Sequence, residues 1–304
     1  MKCALAALAL AFAPPAFAAP VELPVNVVDG ATWTITTHRI REDVRGGAPR
    51  RVESHARYKA TYRAAGEGQR LVLELLDGSV GGEAVGNLPL DQLKAPIEVE
   101  VDEALAPVRL ANWPKLRTAV YAAIDGATPE PKAREVARTV FEPLGAEQAA
   151  NVMLPHMAYL GLGQGLALDP AAPHRYQSEL PNPLGGPAVA ADAVLAIDAA
   201  SAGGERPVIT WTQAMNPDSL AATMRASMDA LLARAGTPEQ LAQAQAAVKD
   251  MSMSRQDRCR FEIDAKTGLA AKTECSTEIN ARAGGQDITR TDRWTITQTL
   301  PENP

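Results

Sequence analysis

Hydrophobic and polar residues alternate along the first third of the chain. From Val52 to Tyr62 every second residue is apolar or small, and the residues between them are charged or hydroxylated. A period of two is typical of a β-strand with one buried face and one solvated face. The same alternation around Trp33, over 70–76 and over 97–101 predicts a β-rich segment at 25–110.

The period becomes helical after residue 111. Asn112 can cap a helix that has Pro114 in its first turn and ends at Gly126. Two more helices, from Thr128 to Pro143 and over 146–160, complete a predicted helical segment at 112–160. A passage rich in proline and glycine follows at 161–187, and its composition predicts a loop. Long loops of this kind often carry function.

Strand patterns return in the second half of the chain. Residues 189–197 and 208–215 alternate again, and two helical patterns up to residue 250 complete a predicted β-α-α segment at 188–250. The order of elements predicts an α+β fold with antiparallel pairing. We expect one domain at 19–304, in which a curved antiparallel sheet of about eight or nine strands has helices packed on one face.

The last fifty residues, 251–300, predict a three-stranded meander. Residues 266–268 fit a three-residue hairpin loop with Gly268 in the left-handed conformation. That register pairs Ile263 with Ala271 and places Cys259 opposite Cys275. A second turn at residues 284–285 pairs Cys275 with Trp294 on the buried face.

The two cysteines predict a structural disulfide. A bond between Cys259 and Cys275 closes a short loop and contributes about 3 kcal/mol in the chain-entropy model. A redox or metal-binding pair is the alternative, but the pair lacks CxxC spacing and has no histidine nearby in the sequence.

Residues 1–18 have the pattern of a signal peptide. Lys2 precedes an apolar run from Cys3 to Ala13, and Ala16-Phe17-Ala18 is a small-x-small cleavage motif. The run is shorter than the roughly 20 residues that a membrane-spanning helix needs. We therefore expect cleavage after Ala18 and export, in a soluble form, to a bacterial periplasm, where disulfides persist.

Charge and motifs exclude several functions. With 30 basic and 36 acidic residues the net charge is −6, which argues against a nucleic-acid partner. The chain has no GxSxG, HExxH, Walker or SxxK motif, so no catalytic residue and no cofactor is predicted. None of the histidines, at positions 38, 55, 156 and 174, has a second ligand at helical spacing, and no metal site is predicted.

The final hairpin carries a family resemblance. Long alternating strands, a helical insertion and the motif Asp264-x-x-Thr267-Gly268-Leu269 resemble secreted bacterial lipoprotein-carrier half-barrel proteins, and similar secreted families built on such sheets. The resemblance implies a curved sheet that wraps helices and holds a hydrophobic ligand. This chain departs from those carriers because it has no lipobox and few aromatic residues.

Three functions follow from these observations. The leading one is a non-catalytic periplasmic protein that binds a hydrophobic small molecule or lipid between sheet and helices. The expected ligand-binding residues are Tyr58, Tyr62, Leu73, Trp211, Trp294, His156, Tyr159, His174 and Tyr176.

Two alternatives stay open. A periplasmic hydrolase would use the 156–179 segment, with His174 as base, Asp169 as its orienting carboxylate and Ser178 nearby. An envelope protein–protein interaction module would use an exposed sheet edge or the acidic helices. The sequence leaves the oligomeric state open.

Overall fold

The computed structural model describes residues 19–65, 68–81, 83–84, 95–127, 130–180, 188–223, 252–283 and 285–300. The predicted signal peptide at 1–18 lies outside the described residues. So do the second helix predicted before residue 250 and most of the first one; that first helix is described only at 217–223.

Fourteen strands and four helices are described in full. The strands are β1 (Val21–Leu23), β2 (Thr32–Arg45), β3 (Ala48–Ala65), β4 (Gly68–Val80), β5 (Glu83–Ala84), β6 (Ile97–Val101), β7 (Pro107–Leu110), β8 (Leu166–Leu168), β9 (His174–Leu180), β10 (Val189–Ile197), β11 (Val208–Met215), β12 (Ser252–Ile263), β13 (Ala270–Ala283) and β14 (Gln286–Thr299). The helices are α1 (Trp113–Ala127), α2 (Pro131–Phe141), α3 (Ala146–Met153) and α4 (Pro155–Gly163).

One curved antiparallel sheet contains most of these strands. Its order is β7-β6-β4-β3-β2-β14-β13-β12-β11-β10-β9, with β5 paired to β4, and β1 pairs with β8 in a separate two-stranded sheet. The predicted antiparallel sheet is confirmed, but the estimate of eight or nine strands was too low for this twelve-stranded sheet. The strands missed by that estimate are short or lie where proline and glycine obscure the alternation.

Two boundaries in the middle of the chain differ from the prediction. The passage at 161–187, predicted as a loop, contains the end of α4 and the strands β8 and β9 in its described part. The single helix predicted over 146–160 is two helices, since Pro155 lacks an N–H and Leu154 leaves helical geometry at φ −125°, ψ 49°.

The meander has almost the register expected from its turns. Cys259 pairs with Cys275 and Cys275 with Trp294, and the two cysteines form a disulfide with Cα atoms 4.1 Å apart. Gly268 has the expected positive φ of 68°. The predicted Ile263–Ala271 pair was wrong, because a bulge shifts Ile263 onto Ala270.

The Asp264 side chain explains that shift. Its Oδ1 accepts hydrogen bonds from the Thr267 N–H at 2.9 Å and from the Thr267 hydroxyl at 2.9 Å. The Gly268 N–H also donates to the Asp264 carbonyl at 2.8 Å, which leaves Asp264 N–H to pair with the Leu269 carbonyl. The turn is therefore longer than three residues.

The main core lies between the helices and one side of the sheet, which we call the inner face. Its largest fully buried side chains include Ile35 and Phe261 from the sheet and Met157 and Leu160 from α4. The opposite, polar side of the sheet is the outer face, where the alternating charged residues of β3 lie.

The end of α4 approaches the sheet very closely. A Cβ atom on Gly163 would lie 2.5 Å from the Phe261 ring, and one on Gly161 would lie 2.4 Å from Ala106 Cβ. These glycines let backbone pack directly on side chains. This explains why glycines recur at the end of α4.

Asn112 does not cap α1 with its side chain as predicted. Its Oδ1 accepts a hydrogen bond from the Glu98 N–H at 3.1 Å, and its Nδ2 donates to the Pro96 carbonyl at 2.8 Å. The side chain therefore ties the start of α1 to β6, and only its backbone carbonyl serves the helix, accepting from Leu116 N–H.

We predict that Gly163→Ala destabilises the protein by about 1–3 kcal/mol, because the added methyl group overlaps the Phe261 ring. Gly203→Ala is the matched control, since a Cβ there meets nothing within 4 Å and that substitution should change stability by less than about 0.5 kcal/mol. Chemical denaturation of both variants measures the difference. Equal midpoints would contradict the close contact.

Reduction of the Cys259–Cys275 bond should raise the intact mass by two hydrogen atoms and lower stability by about 3 kcal/mol. Mass spectrometry and denaturation with and without reductant measure the two effects. Cys259→Ala/Cys275→Ala should be insensitive to reductant. An unchanged wild-type mass on reduction would contradict the disulfide.

Candidate functional site

Four of the predicted ligand-binding residues meet on the inner face, and we call them the aromatic cluster. The His156 ring from α4 stacks on Tyr58 of β3 with ring centroids 5.3 Å apart. Trp294 of β14 lies 6.3 Å from the His156 centroid and 6.2 Å from that of Tyr159. The cluster adjoins the disulfide, because Trp294 is the cross-strand partner of Cys275.

His156 is held neutral by its surroundings. The residue is 3% exposed, and its Nε2 has no hydrogen-bond partner in the structure. Burial lowers the pKa of His156 from 6.5 to about 4, because the charged imidazolium loses its hydration there. The ring therefore acts as an aromatic packing group at neutral pH.

Arg39 marks the boundary between this cluster and a polar region. Its guanidinium lies 4.9 Å from the Trp294 ring centroid, in cation–π geometry. It also donates from Nε to Asp292 Oδ1 at 2.9 Å and from Nη2 to Asp292 Oδ2 at 2.5 Å. This bidentate ion pair raises the pKa of Arg39 above its ordinary value.

The inner face beyond Arg39 is lined with ion pairs. Asp43 accepts hydrogen bonds from Arg41 Nε at 2.9 Å and from Arg290 Nε at 2.5 Å. Burial alone would raise the pKa of Asp43, but these hydrogen bonds outweigh burial and lower it. The carboxylate therefore stays ionised and holds both arginines in place.

A second polar chain leaves the aromatic cluster toward β12. The hydroxyls of Tyr159 and Thr277 lie 3.4 Å apart, and Thr277 Oγ1 donates to Asp257 Oδ1 at 2.5 Å. Asp257 is 1% exposed and is paired with Arg255, whose Nε lies 2.9 Å from Oδ2. Burial is the largest influence on Tyr159 and raises the pKa of its hydroxyl.

A cavity of about 310 Å³ lies on this polar part of the inner face. Its lining side chains are Arg39, Arg41, Asp43, Arg50, Val52, Ser54 and Val80. Three guanidinium groups and one carboxylate line the same space as two valines. The cavity can therefore hold an anionic group and an adjoining apolar group.

Sequence reasoning missed these charged residues, although a signal was present. Arg39, Arg41 and Asp43 continue the odd-numbered positions of Trp33, Ile35 and Thr37 on β2. The period of two puts all of them on the inner face, so the strand carries charges on the same side as its core residues.

The other predicted site residues lie elsewhere. Nearer the β9 edge of the sheet, Trp211 Nε1 donates to the Tyr176 hydroxyl at 2.9 Å, and Tyr176 stacks on His174 with centroids 5.4 Å apart. Tyr62 and Leu73 are buried in the main core, on β3 and β4. The nine residues thus form no single lining, and the cavity of about 310 Å³ is lined by none of them.

The groups predicted for a hydrolase are not brought together. His174 and Ser178 are four positions apart on one strand, which separates their Cα atoms by about 13 Å. Ser178 Oγ donates to the Ala191 carbonyl and accepts from Gln213, and Asp169 Oδ1 accepts from the Ala171 N–H. Each group has a local structural partner.

Another larger cavity lies at the opposite end of the long strands. It measures about 660 Å³ and is lined by the segment 28–34 with Lys59, Thr299 and Leu300. Trp33, in that lining, donates from Nε1 to Gln298 Oε1 at 2.8 Å. Gln298 in turn bonds to Gln164 and to the Ala270 carbonyl, so a buried amide network closes this end of the core.

We predict that His156 makes the protein less stable in acid. Because its folded-state pKa of about 4 lies below 6.5, the unfolded chain binds the proton more readily. The contribution of His156 to the free energy of unfolding is fully present above pH 6.5. It falls as the pH drops toward 4, by up to about 3 kcal/mol.

The measurement is chemical denaturation between pH 7 and 4. His156→Phe keeps an aromatic ring but cannot titrate, so its loss of stability over this range should be smaller than that of the wild type. His174→Phe makes the same change at an exposed position and should keep the wild-type profile. Identical profiles for wild type and His156→Phe would contradict the burial of a neutral imidazole.

No helix in the described part of the chain has the length and apolar character needed to cross a bilayer. No protein-family model matches the sequence, and no curated protein matches it.

Three solved structures similar to this chain share little sequence with it. A lipovitellin structure, titled for its lipid–protein interactions, has 8% identity and a TM-score of 0.44 over 92% of this chain. This chain spans about a quarter of that lipovitellin chain, 26%.

OccK11 (OpdR) of Pseudomonas aeruginosa has 8% identity and a TM-score of 0.18, covering 91% of this chain and 99% of its own. The COG4313 outer membrane channel of Pseudomonas putida F1 has 7% identity and a TM-score of 0.14, covering 94% and 99%. Similarities of this size identify neither a family nor a function.

Proposed function

We propose that this chain is an exported, non-catalytic protein that binds an anionic amphipathic molecule on its inner face. The observation that carries the proposal is the cavity of about 310 Å³, where Arg39, Arg41 and Arg50 face the single carboxylate of Asp43. The ligand class is a carboxylate or phosphate headgroup attached to an apolar chain, as in a lipid of the cell envelope.

Local charge supports an anionic ligand. Around the cavity stand four arginines, at positions 39, 41, 50 and 290, against two carboxylates, Asp43 and Asp292. This is an excess of two positive charges in a chain whose net charge is −6. Guanidinium groups that are already held by carboxylates bind a further oxyanion at little cost in side-chain entropy.

Apolar surface beside these charges supports an amphipathic ligand. Val52 and Val80 line the same cavity, and Val80 is 36% exposed. The Trp294 ring lies beneath the Arg39 guanidinium at the edge of the site. The apolar chain of a bound amphipathic molecule would therefore contact apolar side chains next to its headgroup, and not an ion pair.

Export is supported by the cysteines and the N-terminal sequence together. Cys259 and Cys275 form a disulfide, which persists in oxidising compartments. Residues 1–18 have the charge, length and cleavage motif of a bacterial signal peptide. We place the mature protein, beginning at Ala19, in the periplasm.

The export proposal predicts the mass of the protein after passage through a bacterial periplasm. Intact mass should match a chain that starts at Ala19 and carries one disulfide. Native mass spectrometry followed by organic extraction of the same sample would identify a ligand that copurifies. A mass that includes residues 1–18 would overturn the predicted cleavage.

The binding proposal predicts that dodecyl phosphate, below its micelle concentration, binds more tightly than dodecyl maltoside or inorganic phosphate. Arg41→Gln/Arg50→Gln should weaken dodecyl phosphate about tenfold or more, because charge-assisted hydrogen bonds contribute about 1.5–3 kcal/mol. Isothermal titration calorimetry measures each affinity.

Arg258→Gln/Arg260→Gln is the matched control, because both arginines are exposed on the outer face of β12. It removes the same charge and should leave the affinity unchanged. Equal weakening by both double variants would indicate a general charge effect. Equal binding of the phosphate and maltoside probes would overturn the role of the arginines.

A further inference from the structure

Two histidines and a glutamate meet on the outer face, away from the proposed ligand site. His38 of β2 is the direct cross-strand partner of His55 of β3. Glu53 lies two residues before His55 on the same strand, so all three side chains project from one side of the sheet. They lie near the middle of the long β2–β3 hairpin.

The ligating atoms of these residues converge. His38 Nε2 lies 2.8 Å from Glu53 Oε1, and His55 Nε2 lies 3.5 Å from the same oxygen. The three donor atoms, one from each residue, all lie within 4.8 Å of one another. Among the described residues, no other group of three histidine, cysteine or acidic side chains has its possible ligand atoms this close together.

Small side-chain movements would bring this set to metal-binding distances. Zinc binds imidazole nitrogen at about 2.0–2.1 Å, so ligands in a tetrahedral site stand roughly 3.4 Å apart. The two imidazole rings are stacked, with centroids 4.1 Å apart and planes 6° from parallel. An ion lies in the plane of each ring that binds it, so at least one ring must rotate about its Cβ–Cγ bond.

The site is open to solvent, and Glu53 Oε1 faces both histidines. The side chains of His38, Glu53 and His55 are 32%, 41% and 51% exposed. Arg51 Nη2 lies 3.3 Å from Glu53 Oε2, which leaves Oε1 for the histidines.

We propose that His38, Glu53 and His55 bind a divalent first-row transition ion, Zn²⁺ or Cu²⁺, with three protein ligands and a fourth position for water or an external ligand. Two imidazoles and a carboxylate suit these ions, whereas Mg²⁺ and Ca²⁺ prefer oxygen ligands. The ion joins β2 to β3 through side chains. By the Irving–Williams order, the site should bind Cu²⁺ more tightly than Zn²⁺.

The test uses the mature chain without a histidine tag and Zn²⁺ in competition with a chromogenic chelator. One ion should bind per chain, and His38→Gln, His55→Gln and Glu53→Gln should each weaken binding about tenfold or more. His174→Gln removes an exposed histidine elsewhere and should keep the wild-type affinity. Unchanged far-UV circular dichroism shows that each variant is folded.

Electron paramagnetic resonance of the Cu²⁺ form gives an independent readout. The wild type should show hyperfine coupling to two imidazole nitrogens, and either single histidine variant should show one. Zinc affinity equal in wild type and all three variants, or no binding by the wild type, would overturn the proposal. Arg41→Gln/Arg50→Gln should bind Zn²⁺ normally, so this test is separate from that of the anionic ligand.

Discussion

The structure depends on one constraint: the long strands have more inner face than the helices cover. Side chains alternate along a strand, so a strand of fourteen residues such as β2 or β14 has the same face inward from end to end. Helix α4 packs over the middle of this face, with Met157 and Leu160 buried and Gly163 against Phe261. Beyond the helix the same face meets water and must be polar.

The charged residues are the chain's solution to that uncovered area. Arg39 pairs with Asp292, and Arg41 and Arg290 share Asp43, so each of these three arginines is held by a carboxylate. Partly exposed ion pairs of this kind add little stability singly. They keep an extended face soluble while fixing guanidinium groups in a concave region next to Trp294, which is what an anion-binding surface requires.

Local signals explain why much of the fold could be predicted. Glycine-containing turns determine hairpin register, and the disulfide pair and the Cys275–Trp294 pair both follow from counting outward from such turns. Gly46 and Gly47, with φ of 55° and 83°, form a turn that determines the register of the β2–β3 hairpin in the same way. Counting eight residues outward on each side would have paired His38 with His55. Searching for helical spacing alone hid that pair.

Non-local pairing explains what could not be predicted. Nothing near β2 specifies that its second neighbour is β14, and nothing near β1 specifies β8. The ion pairs that hold Arg39 and Asp43 depend on that first pairing, because their partners Asp292 and Arg290 come from β14. Among the residues expected to line a ligand cavity, Tyr62, Leu73, Trp211 and Trp294 are buried in the main core, and Tyr58 packs against it.

The pairing of β2 with β14 also sets the order in which the sheet can be completed. The Arg39–Asp292 contact spans 253 residues, so this central seam has among the longest loops to close and is expected to form slowly. The hairpins on either side, β2–β3–β4 and β12–β13–β14, need only short loops. Each half of the sheet can therefore assemble alone, with one unpaired edge waiting for the other. A ribosome makes β2 long before β14, so the N-terminal half has an open edge for most of synthesis. An open strand edge can pair with another chain, so this topology leaves the protein prone to association until β14 is in place.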